Sequence, residues 1–329
     1  ALLRHGGWLR SVWLLRDNRE GKRMSSVRAE MILGNTGCLL FPGICIPFYR
    51  IAEKEWILLD CGPSSHRENL LRFLDERGIR VRAVLVSHAH FDHVENCSCL
   101  QERYKARIVM TAFDAGMTHD LLALKACFYS HTVQDNEAYC GQMVCRADRI
   151  LPPDAEETEV FGASFKLYPL PGHTASHIGI ATPDGVMYLA DSLFGLRNLE
   201  REKLFYMLDW TRALETMEEI PKLQYKAYVL AHQGVIGEEI SQLAEENRRQ
   251  LTKGLEEMLD LCRGENTLEE LARKAARAKN TPIKTVEKAR FLERLVRSMA
   301  EYWLERGALK VQLRDGILVY VRSEEKKYV

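Results

Sequence analysis

His88-Ala89-His90-Phe91-Asp92-His93 gathers four ionisable side chains within six residues. The motif directly follows Val81–Val86, a largely apolar run that reads as a buried strand. Alternate residues of an extended chain project to the same side, so His88 and His90 can grip one ion together. The turn that follows offers Asp92 and His93 to a second ion close by. Neutral imidazole and carboxylate are the donors zinc takes at open, catalytic sites. The same groups in a packed core would be costly. Three further candidates close strand-like runs: His173 after Pro171-Gly172, Asp191 after Val186–Ala190, and His232 after Ala227–Ala231.

Such ligands need strands that end together at one sheet edge. Strand patterns cover Val27–Leu33, Gly37–Leu40, Trp56–Asp60, Arg107–Met110, Ile178–Ala181, Val186–Ala190 and Ala227–Leu230, with a hairpin over Glu159–Leu170 turning at Gly162-Ala163. Helical spacing covers Ser65–Gly78, Cys97–Tyr104, Met117–Tyr129 and Asp209–Ile220. The stretch from Thr111 to Arg149 reads as an insertion over the sheet edge. Its Leu121, Leu122, Leu124, Phe128 and Tyr129 would suit an apolar lid, and packing against the core explains them equally well. Beyond residue 236 the character changes. Helices over Glu238–Leu261, Thr267–Lys279 and Pro282–Arg306 precede a hairpin of Leu309–Leu313 and Ile317–Val321, the order of a winged-helix-like module. The expected organisation is an N-terminal extension (1–26), an α/β catalytic domain (27–236) and a mainly helical winged-helix-like domain (237–329).

The chain of 329 residues is 46% hydrophobic and 28% charged, the balance of a globular protein. Its formal net charge of +0 gives no general pull toward nucleic acid or an acidic membrane. No run approaches the roughly 18 apolar residues of a membrane span. The apolar residues before Met24 are broken by Arg10 and Arg16, too short a stretch for a signal peptide. Nine cysteines without a C-x-x-C pair fit reduced thiols in a cytoplasmic protein, with a Cys140–Cys145 pair or a thiol near the site left open.

Five pieces together, Leu58-Leu59-Asp60-Cys61-Gly62, the His88–His93 motif, Pro171-Gly172-His173-Thr174, Leu189-Ala190-Asp191 and Ala231-His232, resemble the metallo-β-lactamase superfamily over about residues 27 to 236. The resemblance implies an αββα sandwich. It implies that His88, His90 and His173 hold a first metal, that Asp92, His93 and His232 hold a second, and that Asp191 bridges them. Asp60 resembles the family's buried acid that orients a ligand loop without binding metal. The implied cofactor is two Zn2+, with Mn2+ or Fe as alternatives. A Glu replaces the second motif histidine in flavodiiron relatives, so His90 argues against that redox branch. Glu95 and Ala175-Ser176 depart from the family's common residues without touching a ligand.

Two cations sharing a water would give a bridging hydroxide that attacks carbonyl carbon or phosphorus, with Asp92 as the catalytic group that orients it and accepts its proton. The expected substrate is a small molecule with an ester, thioester, lactone or β-lactam bond. The alternative is a phosphodiesterase or ribonuclease whose C-terminal domain grips RNA, as in a lactamase-like group that includes an animal mitochondrial ribonuclease. Arg273, Lys274, Arg277, Lys279 and Lys284 would form its basic face. Against it, residues 237–329 hold 19 basic and 17 acidic residues, short of a basic footprint. That region is then expected to wall the substrate pocket or to mediate a homodimer. Arg197, Lys203 and Tyr206 stand where substrate loops form, though each also reads as an ordinary surface or packing residue.

Overall fold

A computed structural model describes residues 27–128, 132–237 and 239–323. The N-terminal extension, Tyr129 of the lid pattern and Glu238 lie outside the described residues. Two sheets face each other. The first runs in strict chain order through β1 (Arg28–Leu33), β2 (Thr36–Phe41), β3 (Ile44–Ala52), β4 (Glu55–Leu59), β5 (Arg80–Leu85), β6 (Arg107–Thr111) and β7 (Arg149–Leu151). Its β1–β4 portion is an antiparallel meander, and β4 to β7 are parallel. The second is also sequential, from β8 (Glu157–Val160), β9 (Ala163–Pro169), β10 (Ile178–Ala181) and β11 (Val186–Ala190) to β12 (Ala227–Leu230) and β13 (Gly234–Ile236).

Parallel neighbours need crossovers, and helices supply them. Those up to Glu219 are α1 (Arg67–Glu76), α2 (Phe91–Val94), α3 (Cys97–Tyr104), α4 (Ala112–Met117), α5 (Leu121–Phe128), α6 (Val133–Cys140), α7 (Leu196–Arg201) and α8 (Trp210–Glu219); α9 (Ile240–Leu261), α10 (Leu268–Ala278) and α11 (Val286–Glu305) follow the second sheet. The chain closes on a separate hairpin, β14 (Leu309–Arg314) and β15 (Ile317–Arg322). The facing sheets bury Leu39, Phe48, Leu58, Phe165, Ile180 and Tyr188 in one core, with Leu70 and Leu74 of α1 and Leu100 of α3 on the far side of the first sheet. A second core joins Met187, Leu189 and Leu230 of the second sheet to Trp210 and Met217 of α8, Leu251 and Leu255 of α9, and Leu295 and Val296 of α11. Helices thus cover both outer faces, the αββα arrangement. Full burial of each such Leu stabilises by about 1.5–3 kcal/mol.

Several elements differ from the sequence expectation. The helix expected over Met117–Tyr129 is two helices. Thr118 Oγ1 turns back onto the Asp114 carbonyl at 3.0 Å, and Asp120 accepts the Ala123 N–H at 2.8 Å, so α4 stops and α5 starts afresh. Leu124 is fully buried in the first core while Leu122 is 66% exposed, so this pair does not form one apolar lid face. The last long helix begins after Thr285, whose hydroxyl accepts the Lys288 N–H, and not at Pro282. The β8–β9 turn sits at Phe161-Gly162, both with positive φ (50° and 78°), one residue earlier than expected. Strands β3 and β13 and helix α6 have no counterpart in the sequence reading. Pro47, which reads as a strand breaker, lies inside β3, paired with Cys38. All nine cysteines are free thiols, Cys140 and Cys145 included, and Cys140 donates to Asn136 O within its own helix. Among the described residues no helix is long and apolar enough to cross a membrane.

Candidate metal centre

Each ligand candidate stands where a strand ends at the same edge of the two sheets. The chain leaves β5 through Ser87 into the His88–His93 loop and α2. The β9–β10 connection carries His173, β11 ends at Asp191, and β12 ends at His232. Two of these turns need unusual backbone. Gly172 has φ +133°, and a Cβ there would stand 2.4 Å from the Ala213 backbone, so only glycine lets the loop lie on α8. Ala190 adopts φ +47°, a cost accepted to swing Asp191 off the strand into the site.

His88, His90 and His173 converge. Nε2 of His88 lies 3.1 Å from Nδ1 of His90, which lies 2.9 Å from Nε2 of His173. Asp92, His93, Asp191 and His232 form a second cluster alongside. Oδ2 of Asp191 links the two, standing 3.5 Å from His173 Nε2, 3.5 Å from His93 Nε2 and 3.4 Å from His232 Nε2. Asp92 faces His232 Nε2 at 3.3 Å and His93 Nε2 at 3.9 Å. The structure therefore brings together all seven residues expected from the sequence.

The side chains behind this set fix which nitrogen faces inward. Oδ2 of Asp60 accepts from His93 Nδ1, Ser87 Oγ and Tyr188 OH at 2.6–2.7 Å, and Oδ1 accepts the Ser87 N–H at 2.7 Å. With its hydroxyl proton committed to Asp60, Ser87 Oγ accepts from His88 Nδ1 at 3.1 Å. The Gly43 carbonyl accepts from His232 Nδ1 at 2.9 Å. With Nδ1 engaged outward, each of these histidines turns Nε2 into the site, the nitrogen a metal would take. Asp60 supports the loop and is not itself at the centre.

Burial, reinforced by neighbouring imidazoles, holds the His88 and His90 pKa values well below the ordinary one, so both are neutral donors. Burial also opposes charge on His93 and His232, yet Asp191, Asp92 and, for His93, Asp60 outweigh it and raise both. That response marks a cluster whose carboxylates demand a cation. His93 Nε2 and Asp191 Oδ1 are buried without a hydrogen-bond partner. Buried orphan donors, mutual spacings near 3 Å and a mixed imidazole–carboxylate set fit two metal ions sharing Asp191.

Three contributors were not singled out in the sequence. His177 accepts the Asp191 N–H at 3.3 Å and lies against His88, ring centroids 4.8 Å apart. Asp114 accepts from Ala89 N–H, Thr111 Oγ1 and Ser176 Oγ, tying the histidine motif to the His173 loop. Arg294 reaches in from α11 to Tyr206. Of the downstream trio, Tyr206 lies beside the site, 6.2 Å from His90 and 6.0 Å from His173 between ring centroids. Arg197 is exposed, and Lys203 donates to the Asn280 carbonyl. Glu95 turns away, accepting the Ser64 N–H at 2.6 Å.

Comparisons with known proteins agree with this geometry. Among curated proteins, the hydroxyacylglutathione hydrolase of Chromohalobacter salexigens is 25% identical over 145 residues, 44% of each chain. That of Ruegeria pomeroyi is 29% identical over 124 residues, 37% of this chain and 38% of that protein. The chain thus spans less than half the length of these relatives. Among solved structures, a metallo-beta-lactamase family protein from Thermus thermophilus superposes with a TM-score of 0.67 at 19% identity, covering 90% of this chain and 98% of the other. A beta-lactamase domain protein from Burkholderia ambifaria gives 0.63 at 18% identity, covering 90% and 93%. Residues 48–232, more than half of the chain and all seven convergent side chains, match the metallo-beta-lactamase superfamily, and to that superfamily the chain belongs.

Proposed function

We propose that the protein is a metal-dependent hydrolase of an acyl bond, an ester, thioester, lactone or β-lactam, in a small molecule. The observation that carries this reading is the single Asp191 oxygen shared by both clusters, which makes them one dinuclear centre. In this reading His88, His90 and His173 hold one ion, Asp92, His93 and His232 the other, and Asp191 both. Zinc suits the donor set. When bound, the metals supply Lewis acidity and an acidified water. The chain supplies the rest. Asp60, directly on His93 and through Ser87 on His88, holds each Nδ1 and so aims each Nε2 at the centre. Asp92, 7% exposed and facing His232, accepts the proton that the nucleophile loses. Tyr206 and His173 wall the side of the site toward α11. The relatives named as hydroxyacylglutathione hydrolases favour an acyl substrate over a phosphodiester.

Elemental analysis of zinc-supplemented protein should find about two ions per chain. Chromogenic ester, thioester, lactone, β-lactam and phosphodiester substrates should then give turnover on at least one acyl compound. Asp92→Ala should lower kcat about 10²–10⁴-fold with the protein still folded. Turnover of the phosphodiester alone would overturn the acyl assignment and revive the nuclease alternative. Zinc below half an ion per chain would overturn the dinuclear one.

A further inference from the structure

Arg294 stands half-buried on α11 and is aimed at the metal centre's flank. One guanidinium nitrogen donates to Tyr206 OH at 3.0 Å. Its central carbon lies 5.8 Å from the Tyr206 ring centroid and 5.4 Å from that of Phe128 at the end of α5. The Tyr206 ring in turn packs against His90 and His173. The positive charge is therefore one aromatic ring away from the first histidine cluster.

What distinguishes this arginine is what it lacks. A guanidinium has five N–H donors and is always charged. Here the bond to Tyr206 is the one hydrogen bond it makes among the described residues, and no carboxylate pairs with it there. Two other partly buried cations of the C-terminal helices are tied down: Lys274 to the Leu261 carbonyl and Asn266, Lys279 to Glu257. The nearby Phe128 and Tyr206 rings face the charge but use none of its remaining donors. A half-buried guanidinium with most of its fork unused is complementary to a planar oxyanion.

We propose that Arg294, oriented by Tyr206 and Phe128, binds a carboxylate carried by the substrate at the end remote from the bond that is cleaved. This rests on the acyl-hydrolase reading above and narrows it to acyl compounds bearing an acidic tail. It also gives α11 a role in selection. The metal centre sets the reaction, and a residue more than fifty positions beyond the last ligand sets which molecules reach it.

The test uses the zinc-loaded 329-residue chain and two matched pairs of chromogenic esters. The 4-nitrophenyl monoesters of adipic and suberic acid carry the distal carboxylate; 4-nitrophenyl hexanoate and octanoate lack it. The wild type should prefer the acidic ester of each pair in kcat/KM, and rising salt should erode that preference. Arg294→Met keeps the apolar stem. It should reduce the acidic-to-neutral ratio about 10–100-fold, chiefly through KM, at unchanged zinc content. Arg294→Lys should restore part of the ratio, since charge remains but the fork is lost. An unchanged ratio in Arg294→Met, or proportional loss on both esters, would leave Arg294 a packing residue and overturn the proposal. If the wild type cleaves none of the four esters and no thioester, lactone or β-lactam either, the acyl-hydrolase reading fails on its own. Calorimetric titration of adipate then decides for Arg294: weaker binding to Arg294→Met than to wild type supports the anchor, and equal binding overturns it.

Discussion

Asp60 collects four hydrogen bonds on one carboxylate, and that convergence fixes His93 and, through Ser87, His88. An asparagine tolerates the same positive φ of 63° but must turn an amide N–H toward at least one of those donors. Asp60→Asn should therefore weaken zinc binding about 10–100-fold in a chelator competition while circular dichroism stays native. Retention of wild-type affinity would show that the imidazoles need no such support. A second residue reports through pH. Burial raises the Glu202 pKa from 4.5 to about 8, and its Oε2 has no hydrogen-bond partner. The folded state thus holds this proton after the unfolded chain has released it. Stability falls as pH climbs from about 4.5 and the penalty is complete above about 8. Glu202→Gln should match wild type near pH 4 and exceed it increasingly toward pH 8 in urea midpoints. A constant difference at all pH values would contradict this origin. At this scale the seven convergent residues were legible, because ionisable types packed at strand ends have few structural uses. His177, Asp114 and Arg294 were not, since each works through a neighbour that only the folded chain supplies.

The loop between β9 and β10 shows how an element's position rests on one contact. Gly172 passes the α8 backbone so closely that a single methyl group collides with Ala213, and its carbonyl accepts the Leu208 and Asp209 N–H groups. Gly172→Ala should destabilise the fold by about 2–4 kcal/mol, strain and clash together. It should also lower zinc content, because His173 moves with the loop. Both are read by thermal melting and elemental analysis, and full zinc content would mean that the loop yields without moving its histidine. Sequence patterns located most strands and helices because burial imposes periods on them. They failed where one residue carries a local signal at odds with the sheet around it, as Pro47 does in β3. They failed again where capping side chains cut a periodic run, as Thr118 and Asp120 do between α4 and α5.

Across the whole molecule, the C-terminal helices share their core with the second sheet. Trp210 of α8 donates to Ser298 of α11, and Asn247 of α9 bonds both the N–H and the carbonyl of Phe194. A chain cut after Ile236 would leave Trp210, Met217 and Leu230 facing water. It should be insoluble or lack a cooperative melting transition; a soluble, zinc-binding fragment of residues 27–236 would show that this region folds independently. The seam between the two sheets has another consequence. The backbone crosses from one sheet to the other once, in the link between Leu151 and Glu157, and the convergent residues are divided by that crossing: His88, His90, Asp92 and His93 before it, His173, Asp191 and His232 after it. Backbone bonds from Cys45 to Ala231 and from Ile178 to Ser87 join the halves beside these same residues. Each cluster thus draws on both halves, so metal that fills it also acts as a clasp. Ligand bound only by the assembled form adds about 2.7 kcal/mol at a hundred times its Kd. A chain nicked in the crossing would behave as two complementary fragments, parting under a chelator and rejoining as metal returns.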